Sequence, residues 1–275
     1  QSSLSKTTIG PNYKKNLPEQ NVLNWAPSVM FRYMFNKQHV LMFRYRGRSS
    51  TPNIEDLQEV IDITDPMNLR YGNPNLKPSF NNNFTLDYRK FVPESMRSYS
   101  ANLYYTSTLN SVANRMTYDP QTGARVYKKE NVNGNWQARG FFSFNTPLKN
   151  KKFTISSNTN ARFSDAVSYT SVGSSKNADQ ELSTTHNLGL GERFTSSYRS
   201  EVFDISLSGS VNYNLVRNSK QENSNRETFD YYIGGNTNVN LPWQVSISTD
   251  INCRFKDGYT GGGCAGNEET PSLWL

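Results

Sequence analysis

The fold is decided by the octapeptide Tyr71-Gly72-Asn73-Pro74-Asn75-Leu76-Lys77-Pro78 and by the run that follows it, Ser79-Phe80-Asn81-Asn82-Asn83-Phe84-Thr85-Leu86-Asp87-Tyr88-Arg89-Lys90-Phe91. The prolines, the glycine and the asparagines of the octapeptide disfavour both a helix and a central strand. In the run after it, aromatic and aliphatic residues alternate with asparagine and charged residues. Alternation with period two predicts a β-strand with one apolar and one polar face. We therefore predict that the octapeptide is a rigid turn leading into a long strand.

The same alternation recurs along the chain and predicts about ten strands, many of them longer than the mean of about 5–6 residues in globular proteins. The predicted strands are residues 25–35, 39–46, 80–91, 96–118, 136–144, 153–163, 188–194, 203–215, 229–239 and 243–255, and residues 273–275 begin one more. The proline-rich link at 47–78 has an apolar periodicity near residues 54–61, which predicts one or two helical turns.

The connections between these strands alternate in length. Short turns fall near residues 37, 93, 149, 198 and 241, and long loops fall near 60, 121, 178, 221 and 261. A soluble sandwich with one solvated face shares the period-two pattern, but it gives no reason to collect every long loop at one end. An outer-membrane barrel does so, because its periplasmic turns are short and its extracellular loops are long. We predict an all-β, antiparallel, up-and-down transmembrane β-barrel.

The two faces of the strand at 203–215 differ in chemistry. Phe203, Ile205 and Leu207 lie on one face, while Asp204 and Ser206 begin the other. The apolar face is predicted to meet lipid, and the polar face is predicted to line a lumen filled by water or by a plug. Aromatic residues at strand ends are predicted to form interfacial girdles; they are Tyr88, Phe91, Trp136, Tyr213 and Trp243.

Composition excludes several classes of protein. The chain has 275 residues, 13% of them aromatic, which is unlike a disordered chain. No segment approaches the about 18 consecutive apolar residues of a transmembrane helix. The net charge is +7 without a long basic run, so no nucleic-acid partner is expected. The chain ends where a strand begins, so residues 1–275 are expected to be part of one larger barrel domain without a plug.

The segments Thr51-Pro52-Asn53-Ile54-Glu55-Asp56-Leu57-Gln58 and Asp65-Pro66-Met67-Asn68-Leu69-Arg70, the latter running directly into the octapeptide, resemble the TonB-dependent outer-membrane receptors, and most closely the Bacteroidetes-type outer-membrane β-barrel family. The signature residues are Gly72, Asn73, Pro74, Leu76, Lys77 and Pro78. The resemblance implies a barrel of about twenty-two strands. It also implies an N-terminal plug and a TonB-type energy-coupling complex as partner. The sequence departs from that pattern, because it shows no plug, no TonB-contacting segment and no terminal aromatic strand.

Catalytic and metal chemistry find little support in the sequence. His39 and His186 are the only histidines, and they are far apart. The acidic residues of the 55–65 loop lack the closely spaced oxygen ligands and the glycine of a calcium site. Cys253 and Cys264 flank a glycine-rich loop and are the candidates for a disulfide in an oxidising compartment. We predict that the protein is not an enzyme and has no cofactor.

Three functions are compatible with this pattern. The first is the C-terminal barrel part of a receptor that imports a nutrient such as a glycan, a peptide or a chelated metal. The second is a barrel that serves as a platform for surface lipoproteins or secretion machinery, and the third is a soluble carbohydrate-binding sandwich. The expected surroundings are outer-membrane lipid, the energy-coupling complex and surface lipoproteins. On the polar face, Arg44, Arg46 and Arg89 either pair with plug carboxylates or are solvated.

Overall fold

The computed structural model describes residues 2–4, 7–10, 13–16, 20–22, 24–57, 61–62, 65, 67–118, 121, 123, 125–148, 151–171, 180–241, 245–258 and 272–274. None of the helices within these ranges has the length and apolarity needed to cross a membrane. Trp243 and Cys264 lie outside the described residues, so the predicted girdle at Trp243 and the predicted disulfide stay predictions.

Four short strands come first and form two separate antiparallel pairs. They are β1 (Ser2–Leu4), β2 (Thr7–Gly10), β3 (Tyr13–Asn16) and β4 (Gln20–Val22). β1 pairs with β4, and β2 pairs with β3.

The rest of the described chain is almost entirely β-strand. Its elements in order are β5 (Ser28–Asn36), β6 (His39–Ser50), the helical turn α1 (Ile54–Leu57), β7 (Ile61–Asp62), β8 (Asn68–Tyr71), β9 (Ser79–Val92), β10 (Arg97–Leu109), β11 (Ser111–Tyr118), β12 (Arg125–Val132), β13 (Asn135–Pro147), β14 (Phe153–Ser171), β15 (Gln180–Arg199), β16 (Phe203–Asn218), a 3-10 turn (Glu222–Ser224), β17 (Arg226–Leu241), β18 (Val245–Asp257) and β19 (Ser272–Trp274).

Eleven strands form one sheet in the order β19-β18-β17-β16-β15-β14-β13-β10-β9-β6-β5. Every neighbouring pair is antiparallel and joined by the next stretch of chain, apart from the steps from β6 to β9 and from β10 to β13. This order confirms the predicted antiparallel up-and-down arrangement. The edge strands β5 and β19 are not paired with each other in the described chain, so the sheet is open.

Residues that lie directly opposite each other across a sheet share a face. One row of such residues is apolar from one side of the sheet to the other, and the next row along the strands is mostly polar. The apolar row is Phe31, Phe43, Leu86, Leu103, Gly140, Ala161, Leu190, Tyr213 and Phe229. The adjacent row is Met42, Asp87, Asn102, Phe141, Asn160, Gly191, Asn212, Asp230 and Lys256. We call these two sides of the sheet the apolar face and the polar face.

The apolar face has no protein layer over it in the described residues. Leu207 is 61% exposed and Ile233 is 65% exposed, whereas Ser206 and Ser208 on the polar face are half-buried. A soluble sandwich would bury its apolar face against a second sheet. An outward apolar band that stays uncovered by protein is instead typical of a barrel wall in lipid.

The single return strand predicted at 96–118 is wrong, because the chain leaves the main sheet at Asn110. Asn110 has a φ of 52°, a left-handed conformation that asparagine tolerates better than most residues. Its N–H donates to Asn133 Oδ1 over 2.7 Å. β11 then pairs with β12 instead of continuing along β9. Together they form a four-stranded sheet in the order β11-β12-β8-β7, in which β12 and β8 are parallel.

Three further predictions need correction. β14 runs to Ser171 and β15 begins at Gln180, so the polar loop predicted at 171–184 is shorter than expected. β15 also continues to Arg199, which moves the turn predicted at 196–200 to residues 200–202. Phe91 lies opposite Ser98 on the polar face and not in a lipid-facing girdle. The helical turn predicted near 54–61 is present as α1.

Candidate functional site on the loop cluster and the polar face

The octapeptide 71–78 connects β8 to β9 and is anchored through Asn73, which is buried. The Asn73 N–H donates to the Asp56 carbonyl over 2.6 Å, and its side-chain amide donates to the Lys129 carbonyl over 2.8 Å. Asn73 Oδ1 accepts from the Asn75 N–H over 3.1 Å. The octapeptide is therefore a turn, as predicted, and it is also fixed to β12. Of the other signature residues, Leu76 is buried, Gly72, Pro74 and Pro78 are half-buried, and Lys77 is exposed.

Asn131 of β12 holds the other end of the octapeptide. Its Oδ1 accepts from the Lys77 N–H over 2.7 Å, and its Nδ2 donates to the Lys77 carbonyl over 3.0 Å. The same Nδ2 donates to the Asn110 carbonyl over 2.9 Å. One side chain thus ties together the octapeptide, β12 and the point where the chain leaves β10.

We call α1, β7, β8, the octapeptide, β11 and β12 the loop cluster. It has buried apolar side chains of its own, contributed by α1, the octapeptide, β11 and β12. An ion pair of 2.7 Å between Lys129 Nζ and Asp56 Oδ1 joins β12 to α1. The long loops at this end of the sheet therefore fold into a defined structure. The buried apolar residues are Leu57, Leu76, Met116 and Val132, each 5–7% exposed.

The loop cluster is attached to the main sheet through the outer parts of β14 and β15. A tilted transmembrane strand needs about 9–11 residues, so the 19 residues of β14 and the 20 residues of β15 extend beyond a bilayer. Tyr169 of β14 donates its hydroxyl proton to Glu130 Oε2 over 2.7 Å. Arg115 forms an ion pair with Glu130 at 3.4 Å and lies over the Tyr169 ring. The Met116 N–H donates to Gln180 Oε1 over 2.8 Å.

Burial raises the pKa of the Tyr169 hydroxyl above the ordinary 10.0, and the hydrogen bond to Glu130 raises it further. Because the folded pKa is raised, the stabilising contribution is fully present below the unfolded pKa and is lost as pH rises through the folded pKa. We expect attachment of the loop cluster to be insensitive to pH near neutrality and to weaken only above about pH 10. The check is a spectrophotometric tyrosine titration of the parent and of Tyr169→Phe. A phenol that is missing in the variant and titrates below 10 in the parent contradicts this prediction.

Aromatic rings form a line on the apolar face where the loop cluster begins. The ring centroids of Tyr45 and Phe84 are 4.8 Å apart, those of Phe84 and Tyr105 are 6.0 Å apart, and those of Tyr105 and Trp136 are 6.1 Å apart. Such rings prefer the boundary between hydrocarbon and water. The line agrees with the girdle predicted at Trp136 and marks the outer edge of the apolar face.

Polar partners continue this edge along the next strands. Trp136 Nε1 donates to Asp165 Oδ2 over 3.0 Å, and His186 Nδ1 lies 2.6 Å from Asp165 Oδ1. Further along the edge, Tyr213 donates its hydroxyl proton to Glu227 Oε1 over 3.1 Å. His186 is therefore part of the interfacial girdle at the outer edge of the apolar face. His39 lies at the opposite end of the sheet, where its ring stacks on Phe35 with centroids 4.0 Å apart.

Glu192 places a carboxylate in the middle of the apolar face. Its two oxygens accept hydrogen bonds from Ser157 Oγ over 2.6 Å and from Thr159 Oγ1 over 2.5 Å. A polar group in hydrocarbon is costly unless it is hydrogen-bonded. The two hydroxyls on the neighbouring strand reduce that cost within the wall itself.

Arginines are spread over the polar face. Arg44 lies opposite Thr85, Arg46 lies opposite Asn83, and Arg89 lies opposite Ser100. None of these three arginines has a carboxylate within 4 Å among the described residues. Elsewhere on the same face the guanidinium of Arg193 lies 5.4 Å from the centre of the Tyr232 ring.

Two arginines meet on the polar face where β13 meets β14, because Arg139 and Arg162 are directly opposite each other. They border a depression of about 550 Å³, which Tyr104 and Phe141 also line. Arg139 Nη2 donates to Gln137 Oε1 over 3.0 Å. The sequence alone did not predict a ligand-binding residue at Arg139 or Arg162. Alternation indicated the face of each arginine, but only the register of the two strands makes them neighbours.

The acidic residues of the 55–65 loop serve local structure where they are described. The Asn68 side-chain amide and the Met67 N–H donate to the Asp65 carboxylate, and they hold its pKa below the usual range. The described residues contain no group of three or more histidine, cysteine or acidic side chains that could hold a metal ion. Cys253 is half-buried opposite Ile233 on the apolar face.

The comparison with protein families agrees with this geometry. The outer membrane protein beta-barrel family matches residues 5–197, which is more than half of the chain. No curated protein and no solved structure matches the chain. The matched segment begins in the N-terminal strand pairs, contains the whole signature octapeptide and ends inside β15. The antiparallel meander, the uncovered apolar face and this match together show that the chain belongs to the outer membrane protein beta-barrel family and resides in the bacterial outer membrane.

Proposed function

We propose that the chain forms part of the barrel wall of a TonB-dependent receptor that imports a nutrient such as a glycan, a peptide or a chelated metal. The polar face carries this proposal, because several of its arginines have no carboxylate partner among the described residues. Barrels of about eight strands fill their interior with side chains. The open sheet described above already has eleven strands, and the about twenty-two strands that the resemblance implies would leave a lumen wide enough for a plug and a solute path.

Counter-ions for such a lumen would come from a plug in the complete protein. Arg44, Arg46 and Arg89 are the residues that we propose to contact plug carboxylates. Exposed guanidinium groups each gain a bidentate partner when a carboxylate comes into reach. Energy for opening such a plug would come from a TonB-type complex in the inner membrane. We propose no catalytic role and no cofactor.

Energised uptake by cells that carry the complete protein tests this function. Labelled oligosaccharides, oligopeptides and iron chelates are supplied to cells with and without the gene. We expect one class to enter only when the gene is present, and a protonophore to stop its entry. Entry that continues after the proton gradient collapses contradicts the proposal.

A second candidate is a platform for surface lipoproteins, and the folded loop cluster favours it. A cluster with its own sheet and its own buried residues presents a fixed surface on the outside of the membrane. Under this alternative, no solute class depends on the gene. A lipoprotein co-purifies with the barrel, and its amount falls when the exposed Lys77 and Lys128 of the cluster are changed to glutamate.

A further inference from the structure

We propose that Arg139 and Arg162 form an anion subsite in the outer part of the lumen, which takes the carboxylate or phosphate group of a small-molecule solute. The proposal rests on the import function above and narrows its substrate class. It assigns to these residues a role in binding and not in holding the wall together.

The first argument is the pairing of like charges. Arg139 of β13 and Arg162 of β14 are directly opposite each other, and directly opposed like charges destabilise a sheet. Neither guanidinium has an acidic side chain within 4 Å in the described part of the chain. Other arginines of the main sheet do have acidic partners, for example Arg217 with Glu227 at 3.6 Å. A like-charged pair without a counter-ion is a ready site for an anion.

The second argument is the chemistry around the pair. The depression of about 550 Å³ at this point is lined by Tyr104, Gln137, Phe141 and Asn160 in addition to the two arginines. This volume lies within the range of about 300–1,000 Å³ that is typical of small-molecule sites. Tyr104 is 46% exposed and Phe141 is 40% exposed, so both rings are open to a ligand. These lining residues suit a ligand in which an anionic group is next to a ring or to a part that carries hydroxyl groups.

The third argument is depth. On β14 the apolar alternation begins at Phe153 next to the short turn and ends at Phe163, and Arg162 adjoins that outer end. On β13, Arg139 lies between the outer girdle residue Trp136 and the middle of the strand. The subsite is therefore near the outer mouth of the lumen, where a solute arrives from outside.

Arg139 is also oriented by its neighbour. Gln137 Oε1 accepts from Arg139 Nη2 over 3.0 Å, which restricts the guanidinium and leaves its other N–H groups for a ligand. Arginine presents paired N–H groups that match the two oxygens of a carboxylate or the oxygens of a phosphate. Lysine at either position would keep the charge and lose that match.

The test measures binding to the complete protein in detergent by titration calorimetry, without any energy source. The probes are trigalacturonic acid and fructose-1,6-bisphosphate as carboxylate and phosphate anions, and maltotriose as the neutral control. We expect at least one anion to bind and maltotriose to bind much more weakly.

Variants of the two arginines test which residues bind the anion. Arg139→Gln and Arg162→Gln should each weaken anion binding about 10- to 100-fold. Arg139→Lys should recover only part of it. Arg32→Gln, which removes the same charge from the polar face of β5 near the short turns, should leave binding unchanged.

The results that overturn the subsite are equally defined. They are no binding of either anion, equal binding of maltotriose, or unchanged anion binding in the double Arg139→Gln/Arg162→Gln variant. Heat-modifiable migration on gels confirms that each variant is folded. Anions that bind but are not taken up in an energised manner would leave the subsite standing and remove the import function, so the two failures are distinguishable.

Discussion

Leu207→Arg is expected to lower the free energy of unfolding of the complete barrel in a bilayer by about 2–4 kcal/mol. Ser208→Arg is expected to lower it by less than about 1 kcal/mol. Leu207 lies near the middle of the apolar alternation that runs from Phe203 to Tyr213 on β16, and it is 61% exposed on the apolar face. Its neighbour Ser208 lies on the polar face, opposite Thr195. An arginine at 207 must give up its hydration in hydrocarbon, while an arginine at 208 remains in the lumen.

The pair of variants is matched in the introduced residue and in the strand. Both are measured by denaturant unfolding from lipid vesicles with tryptophan fluorescence, and by heat-modifiable migration after expression in the outer membrane. A larger loss for Ser208→Arg than for Leu207→Arg would show that the two faces have been assigned the wrong way round. Equal small losses would show that the apolar face does not contact lipid.

The assignment of the faces was available from the sequence because it depends only on residue order. A strand places successive side chains on opposite sides, so parity alone separates Leu207 from Ser208. Parity also survives a small error in the ends of a strand. The prediction for Phe91 is wrong for a related reason. An aromatic residue at a strand end is typical of a girdle, but the parity of Phe91 is that of Arg89 and Asp87 on the polar face.

The pairing of distant segments could not be predicted in the same way. The apolar residues change from odd positions in β10, such as Leu109, to even positions in β11, such as Val112 and Met116. This change of parity marks a break at Asn110, but it does not reveal that β11 has a new partner strand. The parallel contact between β8 and β12 joins segments that are far apart in sequence, and local alternation carries no information about the partner of a strand. The loop cluster therefore appeared only as a long loop followed by one long strand.

The strand extensions were missed for a different reason. Beyond Phe163 and before Leu188, the residues on the apolar face no longer contact lipid. Apolar side chains are therefore not required at these positions. Asp165 and His186 occupy apolar-face positions as an interfacial pair. A pattern search that relies on hydrophobicity stops where the bilayer stops, although β14 and β15 continue as strands to hold the loop cluster.

The octapeptide 71–78 was predicted from the sequence in its local structure but not in its contacts. Its prolines and glycine predicted a turn that leads into a strand, and the structure places it there. The sequence did not indicate that Asn73 and Asn131, which lie on different segments, hold it from both ends. Asparagine is typical of turns, but both side chains act here as bridges to backbone groups of another segment.

Replacing Asn73 and Asn131 together with alanine is expected to open the loop cluster while leaving the main sheet intact. The double variant loses the side-chain bonds from Asn73 to Lys129 and Asn75 and those from Asn131 to Lys77 and Asn110. Each of these hydrogen bonds contributes about 0.5–1.5 kcal/mol to the closed cluster. Opening of the cluster should therefore rise at least about ten- to hundredfold, since about 1.4 kcal/mol corresponds to a factor of ten.

Trypsin reports this opening, because Lys128 and Lys129 lie within β12 and are cut only when that strand separates from β8 and β11. When opening and closing are fast, the rate of cleavage follows the population of the open form.

The cleavage rates of the two single variants should lie between those of the parent and the double variant. The matched control is Asn114→Ala, an exposed asparagine of β11 whose side chain makes no hydrogen bond among the described residues, and it should be cut at the parental rate. The barrel itself should keep its heat-modifiable migration, because the main sheet is paired independently of the cluster. If cleavage in the double variant is no faster than in Asn114→Ala, the octapeptide is held by the parallel strand contact and not by its asparagines. In that case the signature residues would act only by shaping the turn before β9.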